Sequence, residues 1–428
     1  MPAPVHKKEV SNYLKRVRAF SRNARIFLAS TVLYGLMFGL YYLFFNLYIL
    51  SLGYDQEFVG VLASIPALVT AIAAIPVGLF LSRIGYKRSL LLGTGLQMFA
   101  LLGWAFLTER TLLVFASVLF GLGSSLIWIS SSPFMVASST ARERTHLFSI
   151  QFGLNTLAGV IASLVGGILP RVFASLFDFP LEGAATYRGI LFVAGALCAL
   201  SLIPLSALRS RTEVPKGRGK VGEIRPYRSI IGKLFLVELI VSLGAGLLMP
   251  FVNVFYKLRF ALPDHLLGGL FAASSLTMGF AVMLTPLLVD RMGKVKTIVL
   301  TQVLSLPFLI LMGFSPIFAL SAGSFLVRTA LMNMNAPVLT AFAMGIVPVR
   351  LRPITSSLLV LAWNAGWAAS AFASGRLQTR VGFSPLFLAT GSLYLLTAFL
   401  IYHFFHKTPE VEETKIAEAV LIDEEIKP

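Results

Sequence analysis

The chain reads as an all-α integral membrane protein, with twelve transmembrane helices arranged as two pseudo-symmetric six-helix repeats. Three observations carry that reading. The 428 residues are 57% hydrophobic and only 13% charged, with a mean hydropathy of +0.82, which is too apolar for a water-soluble domain. Apolar runs of about 18 residues or more recur along the chain, long enough for a helix to cross a hydrocarbon core of about 30 Å. Finally, the chain contains itself twice, because landmarks in its first half return in order in its second.

Those landmarks are specific. Gly39 and Asn46 return as Gly246 and Asn253, an offset of 207 for both. The basic turn Ser82-Arg83-Ile84-Gly85, followed by Lys87 and Arg88, returns as Asp290-Arg291-Met292-Gly293 with Lys294 and Lys296, an offset of 208. Asn155 and Gly166 return as Asn364 and Gly375, an offset of 209. Duplicated halves are how many secondary transporters are built, and they predict a binding site between the halves.

Taken in order, residues 1–25 place Lys7, Lys8, Lys15, Arg16 and Arg18 among Val10, Tyr13, Leu14 and Val17 at helical spacing. This pattern predicts an amphipathic helix on the inner leaflet. The apolar stretch that follows is too long for a cleaved leader. The first bundle, residues 26–208, holds spans at 26–52, 57–81, 89–107, 111–138, 147–170 and 187–208. From 209 to 229, Pro215, Gly217, Gly219 and Gly222 lie among charges, as expected of a basic cytoplasmic linker. The second bundle, residues 230–406, holds spans at 230–256, 265–289, 296–314, 317–346, 354–376 and 384–405. Residues 407–428 form an acidic cytoplasmic tail.

The net charge of +17 is a topology signal rather than a nucleic-acid footprint. With a cytoplasmic N-terminus, 28 of the 36 Lys and Arg residues fall on the cytoplasmic side. That bias is the positive-inside rule, and it predicts a multi-pass protein of the plasma (inner) membrane with both termini cytoplasmic. The single cysteine, Cys198, permits neither an intrachain disulfide nor a thiol-rich metal site. His6, His146, His265, His403 and His406 show no ligand spacing beyond the last pair. No metal, cofactor or enzymatic chemistry is expected. The chain also lacks a G-x-x-x-x-G-K-[ST] phosphate cradle, so uphill transport must draw on an ion gradient.

Twelve spans as six plus six, a basic central loop and the two basic turns resemble the major facilitator superfamily over nearly the whole chain. That superfamily's loop signature has the form G-x-L-a-D-R-x-G-R-K. The first copy, GLFLSRIGYKR, matches at Gly78, Arg83, Gly85, Lys87 and Arg88, with Ser82 in the aspartate's place. The second, PLLVDRMGKVK, keeps Asp290, Arg291 and Gly293. The resemblance implies the superfamily fold and a cytoplasmic gate at Gly78, Arg83, Gly85, Asp290, Arg291 and Gly293. Its glycines allow tight turns, and its charged groups bond helix ends. The drug-antiporter marks are incomplete: Ser117 stands where an arginine is expected, and Ala162-Ser163-Leu164-Val165-Gly166-Gly167 lacks the proline. Ala158, Ala162 and Gly166 still permit close helix packing.

Ionisable groups at mid-membrane cost at least about 2.5 kcal/mol each, so they are functional candidates. Glu238 lies about 12 Å into the seventh span and Arg328 about 17 Å into the tenth, counted from opposite faces, so the two are level. The resemblance places both on the wall of the central cavity, where they are expected to form a buried coupling pair, with a static structural pair as the alternative. The neutral groups are Asn46, Gln97, Gln151, Asn155, Asn253, Gln302, Asn333, Asn335 and Asn364. Asn46 and Asn253 are expected to face each other near the outer mouth, while Asn155 and Asn364 are expected to join neighbouring helices. Tyr34, Tyr41, Tyr42, Trp128, Trp363 and Trp367 supply stacking surface for a solute. The substrate-cavity set is Asn46, Asn253, Tyr41, Tyr42, Asn333, Asn335 and Trp363.

The functional expectation is a secondary active transporter of a small amphiphilic or aromatic organic solute, working by alternating access in proton-coupled efflux. The alternatives are an importer of a sugar or organic anion, facilitative or proton-coupled, and a lipid flippase or scramblase on the same fold. The expected partners are the solute, membrane lipids and protons, and not nucleic acid, with the chain acting as a monomer.

Overall fold

The computed structural model describes residues 20–209, 225–348 and 351–407. The N-terminal amphipathic stretch to residue 19, most of the linker and the acidic tail from Thr408 lie outside the described residues. Those described are helical, with no strand among them, and the twelve expected spans are present. The first is Arg22–Ser51. The second and third form one helix, Gln56–Phe106, broken at Gly85. Arg110–Ala137, Ala141–Phe177 and Ala184–Ser206 complete the first repeat. The second repeat runs Arg228–Phe260, Asp264–Met292, Lys294–Phe314, Phe318–Ile346, Arg352–Val381 and Ser384–Phe405. Eleven described helices are long and apolar enough to cross a membrane. Arg352–Val381 matches them in length at 30 residues, but it is diluted by Asn364, Ser370, Ser374, Arg376 and Gln378.

Local chemistry explains where the helices start and break. Ser21 Oγ accepts from the Ala24 amide, and Asp55 Oδ1 accepts from Phe58 N, each satisfying a first-turn N–H that has no intrahelical partner. Thr140 and Glu143 form a reciprocal capping box at the fifth span. Two spans are interrupted at prolines. The seventh breaks after Leu248 into a 3-10 turn, Met249–Phe251, and resumes as Val252–Phe260. Pro250 has no N–H to continue the ladder. The tenth divides between Asn333 and Asn335, because Pro337 can neither bond nor clear the Asn333 carbonyl four residues back.

Gly85 and Gly293 close the two basic turns with nearly the same backbone: φ 80°, ψ 167° for the first and φ 79°, ψ 166° for the second. Both occupy the left-handed region that a Cβ disfavours. The repeat seen in the letters is therefore also a repeat in dihedral angles.

The chain separates into two compact units. One comprises the residues up to 216 together with 249–276 and 371–380; the other comprises 217–248, 277–370 and 381 onward. In the first unit, the first and fifth spans cross closely. A Cβ on Gly35 would stand 2.8 Å from Ala158 Cβ, and one on Gly39 would stand 2.5 Å from Ala162 Cβ. In the second unit, the seventh and eleventh spans repeat the crossing. A Cβ on Gly366 would meet Leu239 O at 2.8 Å, and one on Gly246 would strike Ser370 Oγ. Gly39 and Gly246 are repeat mates, so small residues hold the backbones together at matching places. Aromatic and aliphatic side chains fill the rest: Phe20, Phe27, Tyr86 and Phe134 in one cluster, Leu234, Phe342, Ile401 and Phe405 in another.

Candidate functional site

The distal end of the first span is its Ser51 end, opposite Arg22. There, Pro250 interrupts the seventh span and uncovers main-chain carbonyls that need donors. Tyr42 and Asn46, one turn apart on the first span, supply them. Tyr42 Oη donates to Met249 O at 3.0 Å, and Asn46 Nδ2 donates to Pro250 O and, at 3.2 Å, to Asn253 Oδ1. Asn253 Nδ2 donates in return to Leu43 O at 2.9 Å. Leu43 and Pro250 differ by the same 207 residues as Asn46 and Asn253. Each asparagine therefore donates to the carbonyl three residues before its own repeat mate. The expectation that the two asparagines face each other is met by a reciprocal clasp, with Asn46 6% and Asn253 2% exposed.

Two glycine crossings extend the clasp. A Cβ on Gly60 would lie 2.9 Å from Gly375 Cα, and one on Gly268 would lie 2.8 Å from Gly167 Cα. Gly60 pairs with Gly268 in the repeat, and Gly167 with Gly375, both at an offset of 208. The structural mate of Gly375 is thus Gly167 and not Gly166, which packs on Leu40 and Phe44 of the first span. One turn from the first crossing, Arg376 Nε meets Glu57 Oε1 at 2.8 Å. Beside the second, Lys257 Nζ lies 2.6 Å from Glu182 Oε1 and 2.6 Å from Asp264 Oδ1. Tyr187 Oη also donates to Asp264, at 3.2 Å. Sequence reasoning missed these ion pairs because it used charges at span ends only as topology markers.

In the two basic turns the motif's Arg83, Asp290 and Arg291 are exposed, and Gly78 is half-buried. Gly85 and Gly293 set the turns described above.

Of the two mid-membrane charges, Arg328 is 2% exposed. Its Nη2 donates to Tyr394 Oη at 2.6 Å, and its guanidinium carbon lies 5.5 Å from that ring's centroid. Gly244 makes room for the ring, since a Cβ there would reach Tyr394 Cε1 at 2.8 Å. Glu238, half-buried on the seventh span, makes no hydrogen bond or ion pair among the described residues. The arginine expected to pair with Glu238 is instead held by a phenol sixty-six residues along the chain. A search for an opposite charge could not have found that partner.

The remaining candidates divide. Asn333 Nδ2 bonds its own helix at Thr329 O, 2.8 Å, whereas Asn335 Oδ1 accepts from Thr301 Oγ1 of the ninth span at 2.6 Å. Asn364 likewise bonds its own helix at Val360 O, 2.9 Å, while Asn155 Oδ1 lies against Gly35 of the first span. Trp363 is 37% exposed, its ring centroid 6.0 Å from that of Trp367. Tyr41 packs inside the first bundle, stacked on Trp104 at 5.5 Å and against Phe120 at 4.6 Å. Tyr42 and Phe38 are each 37% exposed. Phe38 stands at i, i+4 spacing to both Tyr34 and Tyr42.

The family model described as Major Facilitator Superfamily matches residues 27–233 and again 234–423. The fold is similar to the nucleoside transporter NupG, with a TM-score of 0.73 and 11% identity, over 89% of this chain and 98% of that one. It is also similar to a D-xylose-proton symporter, with a TM-score of 0.71 and 15% identity, over 91% of this chain and 98% of that one. A third similar structure is a bacterial homolog of the human lysosomal transporter Spinster, with a TM-score of 0.68 and 15% identity, over 89% and 95%. A search of curated protein sequences finds no match. The two matched repeats, the twelve helices and the twice-built basic turn together place the chain in the Major Facilitator Superfamily, as a multi-pass membrane transporter and not an enzyme.

Proposed function

We propose that the chain exports a small amphiphilic or aromatic organic solute by alternating access, driven by protons that bind at Glu238. One observation carries the coupling: a carboxylate in the seventh span that has no hydrogen-bond or ion-pair partner among the described residues. A charge so placed is costly, and taking up a proton removes the cost. Moving between water-facing and occluded settings would therefore load and release that proton. Arg328, fixed by Tyr394, would set the local potential without forming the ion pair. The Lys and Arg distribution supports a cytoplasmic proximal end. On that orientation the asparagine clasp is an outer gate, and the exposed arginines and aspartate of the two basic turns belong to an inner one. The similar folds named as a nucleoside transporter and a D-xylose-proton symporter are compatible with a small organic solute as cargo.

Flux across sealed vesicles, with and without an imposed pH gradient, tests this reading. Export exchanged against proton entry is expected in the parent. Glu238→Gln should lose the response to the gradient while keeping counterflow, the exchange of labelled for unlabelled solute at equal concentrations. Accumulation by Glu238→Gln equal to the parent's would remove Glu238 as the proton site. Solute uptake running together with proton entry would establish an importer.

A further inference from the structure

Tyr34, Phe38 and Tyr42 stand one above another on the first span. Their neighbouring ring centroids lie 6.3 and 6.2 Å apart, and both pairs are 17° from parallel. The row is flanked by protein at both ends. Tyr42 lies 6.0 Å from Phe271 of the eighth span, and the Tyr34 hydroxyl meets Gln97 of the third. Between them Phe38 is 37% exposed, and its ring also lies 6.0 Å from that of Tyr41.

The polar end of the row has a fixed sense. Ser124 Oγ donates to Phe120 O at 2.8 Å, so its oxygen is left to accept. Gln97 Nε2 donates to Ser124 Oγ at 2.8 Å and to Tyr34 Oη at 3.4 Å, which uses both amide hydrogens. Gln97 is 0% exposed, and its Oε1 has no hydrogen-bond partner among the described residues. Tyr34 is consequently an acceptor toward Gln97, and its own hydrogen is left to donate beside the exposed face of Phe38.

We propose that Phe38 and Tyr34 form a stacking subsite for a planar heteroaromatic solute that presents a hydrogen-bond acceptor at its edge to the Tyr34 hydroxyl. The proposal rests on the transport reading and names the class of solute. A planar π-system gains an offset-stacked contact on an aromatic face beyond the area it buries, which an aliphatic ring does not. A hydroxyl hydrogen left without an acceptor on burial is costly, so an acceptor edge is favoured over one that can only donate.

The test is calorimetric titration of the purified full chain in lipid nanodiscs, using adenosine as the planar probe. D-xylose serves as a polar solute without an aromatic ring. Adenosine should bind the parent, with about tenfold weaker affinity for Phe38→Leu and about fivefold weaker affinity for Tyr34→Phe. Phe38→Tyr should restore parental affinity, which a merely damaged fold would not allow. Unchanged adenosine affinity in both Phe38→Leu and Tyr34→Phe overturns the subsite. So does D-xylose binding where adenosine does not, or no adenosine binding at millimolar concentration. Because binding is measured without a gradient, proton-driven flux retained by Glu238→Gln, with the adenosine affinities as expected, counts against the coupling reading alone.

Discussion

Asn46 and Asn253 show how one residue type can mark symmetry and close a structure together. Each sits in an apolar bundle, where an amide without partners is costly, and each finds its acceptor on the other repeat's backbone. Asn46→Ala and Asn253→Ala should each lower stability by about 1–3 kcal/mol, read as a lower melting temperature in detergent. The double variant should lose less than the sum, because the two amides also bond each other. Tyr394→Phe should cost about 1.5–3 kcal/mol by removing an acceptor from a charged donor. At Gly85 and Gly293 the positive φ sets the cost, since a Cβ would meet nothing within 4 Å at Gly85. Gly85→Ala should therefore destabilise by about 1–3 kcal/mol, because at φ 80° and ψ 167° the backbone lies in a region essentially confined to glycine. What was legible at this scale follows from chemistry. The asparagine mates and turn glycines could be read because a repeated letter implies a repeated backbone. Tyr394 with Arg328, and Glu182 with Lys257, could not, because the partners lie far apart along the chain and no local pattern links them.

At the scale of the helix, the spans announced themselves through apolar length, and their ends through caps and prolines. The breaks in the seventh and tenth spans were not anticipated, although Pro250 and Pro337 were in view. An apolar run reads as continuous to a hydropathy argument, whereas the hydrogen-bond ladder does not survive the missing N–H. Crossings between spans depend on which glycines meet backbone, and sequence alone does not separate these from idle ones. Gly123→Ala would push a Cβ to 2.5 Å from Gly93 O, so it should yield poorly folded protein. Gly95→Ala, with nothing within 4 Å, should instead stabilise by about 0.5–1 kcal/mol through helix propensity. Parallel thermal unfolding of these two variants checks the crossing geometry directly.

The duplication organises the whole molecule, and it does so unequally. Gly39 with Gly246, Gly85 with Gly293, and the glycine quartet 60, 167, 268 and 375 keep both repeats alike in backbone. Glu238 and Arg328 have no charged mates in the first repeat, so on the proposed reading coupling resides in the second. The aromatic row from Tyr34 to Tyr42 lies in the first, so on the proposed reading recognition resides there. An alternating-access cycle must then open and close the distal crossings on every turnover. Cysteines at positions 60 and 375, introduced as Gly60→Cys and Gly375→Cys, would lie within reach of a disulfide, and the buried Cys198 would not interfere. The account predicts that oxidising this pair stops gradient-driven flux across vesicles and that reduction restores it; undiminished flux through the fully cross-linked protein would contradict it.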